Sequence, residues 1–457
     1  MSEIATTDPN VPDPSDQIAQ ITQTLKPGPT DGPIDGGRAP FRPALVRIFP
    51  VLVDQPPVVC SMRRKCRLGR DPSLDLVIDD GSVSRRHAVL STSARGLRVF
   101  DEGSTGGTFV DGQRVGKAGV WADFGAVLRF GATLWLAVRD GEAYRAAPRR
   151  LAASFLGLPR DVIAGPTLSR VWDQTIRIAT LAAPVLVLGE SGSGKEAIAR
   201  LLHATRAAKS PFVGLNVAAI PPTLFESVLF GHEKGAFTGA AAAHPGAFQE
   251  ACGGVLFLDE VADLGLDLQA KLLRAIDLNQ IRPIGARADV NVDVRLVSAT
   301  SRDLAADCAA GHFRKDLYYR LAGLIVSVPP LRERRDDVLV LAQSILADEA
   351  PQLFLGAPAA EALALGQWDG NVRNLRYALS HAIGQAVAAE CREIGVKHLP
   401  KERAPASPQG PLTKDQVRSA MADAKGVATR AAAALDVSRA TFYRVCARLG
   451  IETDSLR

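Results

Sequence analysis

The amino-acid sequence predicts a multidomain chain. An all-β sandwich is followed by an α/β phosphate-loop domain with a mostly helical extension, and then by a small all-α helix-turn-helix. Three observations predict this order. Across residues 44–138, short apolar stretches (ALVRIFPVLV, LDLVI, HAVLSTS, GLRVFD, VLRFG, TLWLAV) are separated by Gly, Asp and Ser turns, which is sandwich spacing. From about residue 165, buried-strand candidates alternate with helical segments, the signature of a parallel sheet. Beyond residue 412 the pattern is helical again. A length of 457 residues accommodates about three domains at roughly 150 residues each.

Taken in order, residues 1–43 read as a disordered acidic leader. Glu3, Asp8, Asp13, Asp16, Asp31 and Asp35 face only Lys26 and Arg38 across the first 40 positions. The sandwich spans 44–138 and a connector spans 139–164. The α/β core over 165–334 holds the strand candidates PVLVLG (184–189), FVGLNV (212–217), VLFLD (255–259), VRLVSAT (294–300) and LIVSVP (324–329). Residues 335–400 read as mostly helical. KERAPASPQGP (401–411) is a linker, and 412–457 form the last domain.

Composition narrows the function classes. Hydrophobic residues make up 47% and charged residues 23%, enough apolar material for real cores. No window approaches the ~18 consecutive apolar residues of a membrane-spanning helix, and the acidic start lacks a secretory apolar region. Six scattered cysteines without a CxxC pair argue against a disulfide framework or zinc site and fit a reducing, cytoplasmic setting. The net charge of +5 neither demands nor excludes nucleic acid, because a local basic face is invisible to the total.

GESGSGKE (189–196) follows a buried strand and opens a helix. Gly189, Gly192 and Gly194 let the backbone amides of this loop, with Glu190, Ser191 and Ser193, curl round phosphate oxygens. Lys195 adds a charge at the β/γ-phosphates. Glu196 stands where a Ser or Thr hydroxyl would usually meet Mg²⁺. VLFLDE (255–260) ends an apolar strand in two carboxylates. Asp259 is the expected Mg²⁺ ligand, and Glu260 the group that polarises water toward the γ-phosphate. Arg314 and Arg320 in FRKDLYYRL can stabilise γ-phosphate charge across a subunit boundary, but read alone they favour a solvated helix face. Arg373 in GNVRNL sits early in a helix after a Gly-containing turn. In LFGHEKGAFTGA (229–240), Phe237 lies between Gly235 and Gly239. It is either a tip residue that inserts into a partner or a turn residue tucked inward.

With these motifs, residues from about 165 to 400 resemble the AAA+ domain of bacterial enhancer-binding proteins, the sigma-54-dependent transcription activators. GAFTGA (Gly235, Ala236, Phe237, Thr238, Gly239, Ala240) is nearly diagnostic, and GESGSGKE with its glutamate is the family's form. The resemblance implies an ATPase using ATP and Mg²⁺, with residues 335–400 as its helical lid. The implied roles are Asp259 and Glu260 as the Walker B pair, Asn216 restraining the catalytic glutamate, Thr300 and Ser301 as sensor I, Arg314 and Arg320 as trans-acting arginine fingers, and Arg373 as sensor II. It further implies hexameric rings with ATP between subunits, assembled from dimers, and a GAFTGA loop that contacts sigma-54 RNA polymerase holoenzyme. Ser301, Lys315, Val228 and WDGNVRNL depart from the commoner family residues.

AAAALDVSRATFYRVCARLGI (431–451) has a helix-turn-helix layout. Ser438 is a good N-cap, and Phe442, Val445, Cys446 and Leu449 fall on one apolar face, leaving arginines off it. Alone, the segment reads equally as a helical hairpin with solvated arginines. It resembles the Fis-type helix-turn-helix that ends sigma-54 activators, with Arg439, Thr441, Tyr443 and Arg444 as the implied contacts to upstream DNA.

In the sandwich, LGR (68–70), SVSRRHA (82–88) and GSTGGTFVDG (103–112) supply Arg70, Ser84, Arg85 and Thr105, groups that can converge on a phosphate. These motifs resemble a forkhead-associated (FHA) domain, which binds phosphothreonine peptides, with His87 as a structural brace. Gly106 replaces the family's usual Asn, and Asp111 another. A degenerate FHA fold serving only as a protein-interaction module is the alternative. The combined expectation is a cytoplasmic activator that takes a phosphothreonine signal, for example from a Ser/Thr kinase pathway, and opens sigma-54 promoters from an upstream DNA site.

Overall fold

The computed structural model describes residues 41–400, apart from 52–54, 63, 147, 208 and 239. The leader up to residue 40, Gly239, and the helix-turn-helix with Arg439, Thr441, Tyr443 and Arg444 lie outside the described residues.

Eleven strands make the sandwich: β1 (Ala44–Phe49), β2 (Val59–Ser61), β3 (Lys65–Gly69), β4 (Leu76–Val77), β5 (Ala88–Thr92), β6 (Gly96–Asp101), β7 (Thr108–Val110), β8 (Gln113–Arg114), β9 (Val120–Asp123), β10 (Val127–Phe130) and β11 (Thr133–Val138). They form two sheets, ordered β2-β1-β11-β10-β7-β8 and β4-β3-β5-β6-β9. Because side chains alternate along a strand, Leu45, Leu128, Phe130, Trp135 and Ala137 point between the sheets onto Leu68, Leu90 and Val99. The second sheet is half-wetted in the ordinary way; KCRLG on β3 reads exposed, buried, exposed, buried, buried. The first sheet is not. All six residues of TLWLAV on β11 are buried.

The motor-like half is a five-stranded sheet of β12 (Val185–Leu188), β13 (Phe212–Asn216), β14 (Val255–Asp259), β15 (Arg295–Thr300) and β16 (Leu324–Ser327). Its order is β13-β14-β15-β12-β16, and every pairing is parallel. Parallel strands bury both faces, which explains their near-continuous apolar runs. One face takes α1 (Pro166–Ile178) and α2 (Lys195–Ala207), with Val185, Val187 and Phe257 against Leu168, Trp172 and Leu202. The other takes α3 (Leu266–Leu278) and α4 (Lys315–Leu321), with Leu186, Leu256 and Leu258 against Leu272 and Leu317. Gly246 and Pro166 illustrate local helix starts; Pro166 occupies the first helical position, where its missing N–H costs nothing.

The helical extension comprises α5 (Arg335–Glu349), α6 (Ala357–Leu365) and α7 (Asn371–Ala388), with a two-residue parallel strand pair, Phe354–Leu355 and Glu393–Ile394, stitching its ends. Its core does not close on itself. Leu339, Leu346 and Leu363 share one buried cluster with Val46, Ile48, Leu134 and Leu136 of the sandwich. The outer face of the first sheet is therefore covered by the lid helices.

Candidate functional site

The loop 189–194 leaves β12 at the carboxyl end of the sheet and enters α2. Gly192 and Gly194 adopt φ of +74° and +109°, backbone that a side chain would strain. Gly192 has a second reason to be glycine: a Cβ there would sit 2.4 Å from the Gly370 carbonyl oxygen. The next residues build a cleft of about 460 Å³ lined by Ser191, Gly192, Ser193, Gly194, Lys195 and Glu196, with Asp259, Glu260, Arg334 and Arg373 across it.

Lys195 is buried and donates to the Gly189 carbonyl at 3.0 Å and to Glu260 Oε1 at 3.1 Å. The other carboxylate oxygen of Glu260 accepts from the Ser301 backbone N–H at 3.0 Å and its hydroxyl at 2.9 Å. Burial alone would raise the Glu260 pKa, but the Ser301 bonds and Lys195 outweigh it and hold the group below its ordinary range. Asp259, one residue away, goes the other way: burial pushes it up against the opposing pull of Lys195. Neighbouring carboxyls driven apart in this fashion are the pattern of a site with divided acid–base roles. Glu260 itself sits at φ +55°, a left-handed conformation rare outside glycine and asparagine.

Several expected groups take positions the sequence did not specify. Asn216 Nδ2 lies 3.5 Å from Asp259, not from Glu260; the groups holding Glu260 are Lys195 and Ser301. Thr300 is fully buried and accepts from the Arg302 N–H, so of the two residues expected at sensor I it is Ser301 that reaches the carboxylate. Glu190 turns away from the cleft to a two-bond ion pair with Arg332 at 2.6 and 2.8 Å, which lowers its pKa. Glu196 pairs with Arg200 on the next turn of α2 at 2.8 Å. Arg373 Nη1 is 3.4 Å from the Ser191 hydroxyl. Arg314 and Arg320 do not line this cleft; at the surface Arg314 pairs with Asp316 of α4 at 2.7 Å and Arg320 with Asp277 of α3 at 2.9 Å.

Sequence reasoning missed the groups that fasten the helical extension to the phosphate loop. Asn371, fully buried at φ +51°, donates to the Ser191 carbonyl at 3.0 Å and accepts from Leu331 N–H at 2.7 Å. Arg334, 1% exposed, donates to the Ser193 carbonyl at 2.7 Å and to Asp337 at 3.2 Å. The run LRERRDD is charged enough to pass for a solvated turn; its unusual density of opposite charges beside a strand end was the available signal.

The tip GAFTGA stands between the paired segments Gly231–His232 and His244–Pro245. Gly235, at φ +79°, donates to the Ala240 carbonyl and closes the turn. Phe237 is 41% exposed, its ring 5.0 Å from that of His232; Ala240 is buried. A Cβ on the hairpin residue Gly285 would sit 3.0 Å from the Ala236 Cβ. Phe237 thus leans on His232 while keeping an outward face.

At one end of the sandwich, Arg70 and Arg85 are exposed and Ser84 is half-buried. The Ser84 hydroxyl accepts from the Thr105 N–H at 3.0 Å, and its carbonyl accepts from the Arg70 N–H at 3.0 Å, so three of the four expected residues are tied together. His87, fully buried, accepts from the Ser84 N–H at 3.1 Å, lies 3.3 Å from the Gly107 carbonyl and meets Phe130 edge-on, which is a brace. Gly69 is enforced by the Arg85 carbonyl, 2.2 Å from where its Cβ would be. Asp111 takes φ +45°, a region that Asp and Asn tolerate best.

The sigma-54 interaction domain matches residues 162–327, the FHA domain 66–131 and the AAA+ ATPase lid domain 332–416. The hydrogenase transcriptional regulatory protein HoxA of Cupriavidus necator is 45% identical over 50% of this chain and 48% of its own. The transcriptional regulatory protein ZraR of Escherichia coli is 37% identical over 69% of this chain and 74% of its own. A crystal structure of NtrX from Brucella abortus aligns with 30% identity over 62% of this chain and 68% of that one, at a TM-score of 0.49. The chain spans about half the length of the first of the curated relatives it matches.

Proposed function

Because the chain belongs to the family of sigma-54-dependent transcriptional regulators, we propose that it hydrolyses ATP to remodel sigma-54 RNA polymerase at promoters, under control of a phosphothreonine-binding FHA domain. The observation that carries the reading is the convergence of Lys195, Asp259, Glu260 and Arg373 on one cleft, with Ser301 holding Glu260 from behind it.

In this reading the amides of the 189–194 loop and the N-terminus of α2 receive the phosphates, and Lys195 leaves Glu260 to neutralise the β/γ oxygens. Glu260, freed from Lys195 and steered by Ser301, orients water at the γ-phosphate. A cleft walled by Asp259, whose burial disfavours an unpaired charge, suits Mg²⁺; once bound it supplies charge neutralisation at the phosphate oxygens. Asp259 is the ligand proposed for it, with Asn216 alongside. Arg373 reads the phosphate from the lid. Arg314 and Arg320, being surface residues outside their own cleft, serve the neighbouring subunit of a hexameric ring. The Phe237 tip transmits the cycle to sigma-54. Arg70, Ser84, Arg85 and Thr105 hold a phosphothreonine, and residues 412–457 tether the ring to upstream DNA. The regulatory domains carry the residue boundaries given by the sequence, 44–138 for the sensor and 165–400 for the motor with its lid.

The test is closed-to-open promoter conversion with purified sigma-54 holoenzyme. Phe237→Ala is expected to retain ATP turnover and lose promoter opening. Glu260→Gln is expected to lose both. Promoter opening by Phe237→Ala at the wild-type rate would refute the assignment of the loop.

A further inference from the structure

Two of the six cysteines meet inside the sandwich. Cys60 lies on β2, the edge strand of the first sheet, and Cys66 on β3 of the second. The strand registers turn both side chains inward. Cys60 stands opposite Leu45, which fills the core between the sheets, while its neighbour Val59 stands opposite Val46 and packs on the outer face with it. Opposite residues of a ladder share a face, so Cys60 points toward the second sheet. Cys66 stands opposite Leu90 of the same core and points toward the first. Only residues 62–64 separate the two strands, so the thiols face each other at the end of the sandwich where the chain crosses between sheets. There the Cys66 S–H donates to the Cys60 sulfur. Cys66 is 3% exposed, whereas Cys60 is only half-buried. The bond divides their acidity: it lowers the Cys60 pKa, against burial and the nearby Asp75 carboxylate, and raises that of Cys66. Cys60 is the readier thiolate and Cys66 a protonated reserve behind it. Two thiols fall short of the four ligands of a structural metal site, and no cluster of three or more His, Cys, Asp or Glu suited to a metal occurs among the described residues.

We propose that Cys60 and Cys66 are a reversible oxidation site, at which hydrogen peroxide converts the thiol pair to a disulfide that pins the two sheets together. In the first step the Cys60 thiolate sulfur attacks one peroxide oxygen. The S–O bond forms, the O–O bond breaks, and the departing hydroxide takes up the proton that Cys60 released, leaving as water. Cys60 is then a sulfenic acid. In the second step the Cys66 sulfur attacks the Cys60 sulfur. The S–S bond forms, the S–O bond breaks, and the hydroxyl leaves with the Cys66 proton as a second water. One peroxide is reduced to two waters while the sulfur pair gives up two electrons. Oxidation of Cys60 also removes the thiolate whose charge opposed ionisation of Cys66, so the first step readies the second. Exchange with a small-molecule thiol restores the resting pair. The exposure gradient fits these roles, with the attacking thiol half-buried and the resolving thiol in the core. The chemistry needs neither nucleotide nor phosphopeptide.

The test is hydrogen peroxide treatment of the reduced full chain, followed by alkylation and tryptic mass mapping. Arg63, Arg64 and Lys65 lie between the two cysteines, so trypsin separates them unless a disulfide holds the fragments together. The expected product is a linked Cys60–Cys66 pair of fragments, lighter by about two hydrogens than the separate ones, absent before oxidation and lost on adding dithiothreitol. In Cys66→Ala, Cys60 should stop at the sulfenic acid and be trapped by dimedone. In Cys60→Ser, alkylatable Cys66 should persist about tenfold longer than in the wild type, because the readier thiolate is gone. The wild-type map requires no substitution and decides the matter even where a variant fails to fold. Cys60 and Cys66 that both remain fully alkylatable at a peroxide dose that oxidises the exposed Cys252 overturn the proposal, as does Cys60 joined to any other cysteine. Loss of Cys66 as fast in folded Cys60→Ser as in the wild type overturns the assigned order of attack.

Discussion

The nucleotide cleft and the seam between sandwich and lid are made of opposite materials. The cleft is a set of polar groups on loops at a sheet edge, each aimed by one or two hydrogen bonds: Lys195 on Glu260, Ser301 on Glu260, Asn371 on Ser191. The seam is an apolar surface, Val46, Leu134 and Leu136 against Leu339 and Leu363, with two ion pairs at its rim. The proposed chemistry depends on the first and stability on the second. The difference teaches that a residue's consequence on mutation should follow the region it belongs to, except where Arg334 and its neighbours serve both.

Arg334 is the place to break the distinction. Arg334→Ala removes the partner of the fully buried Asp337 and a donor to the phosphate loop, and should cost about 3–5 kcal/mol in urea unfolding as well as lowering nucleotide affinity. An effect on one quantity alone would separate the two regions more sharply than the geometry does. Leu339→Ala belongs to the seam only. Its side chain is 1% exposed, and its loss should cost about 2–5 kcal/mol in urea unfolding while leaving ATP turnover by the folded protein largely unchanged. Asp336 gives the smallest and most directional effect. It is buried beside Asp337 with Oδ2 unpartnered, and burial followed by that like charge pushes its pKa up to about 7 from 3.8. An acid whose folded pKa is raised is penalised once ionised, so this residue lowers stability as pH rises from about 4 to about 7. Asp336→Asn should flatten that slope and stabilise the protein at pH 8, measured as a rise in melting temperature.

How much of this was legible follows from the same contrast. That the phosphate loop, Asp259 and Glu260 would meet in one cleft was readable because such a site demands particular residue types at fixed spacing, whatever surrounds them. The strands were readable because burial writes its period into the chain: VLFLD and β14 coincide. The partners within the site were not. Asn216 lands on Asp259 because β13 and β14 pair in register, Asn216 opposite Asp259, a fact of sheet alignment that no local motif contains. The two faces of LRERRDD were hidden because a dense charge run looks solvated until the partners, 141 residues away at Ser193 and 224 away at Asp111, are placed. The seam had left one trace. TLWLAV and ALVRIF are apolar on both faces, whereas a two-sheet sandwich needs only one. Such a run implies a second covering layer, and the lid supplies it.

The central claim, that this cleft hydrolyses ATP with Glu260 as the group that orients water, is tested most directly by ATP turnover of the wild type and Glu260→Gln under the same conditions. Wild-type turnover should be measurable and the variant should lose about 10²-fold or more, the usual size of a positioned base. Equal rates in the two proteins would contradict it.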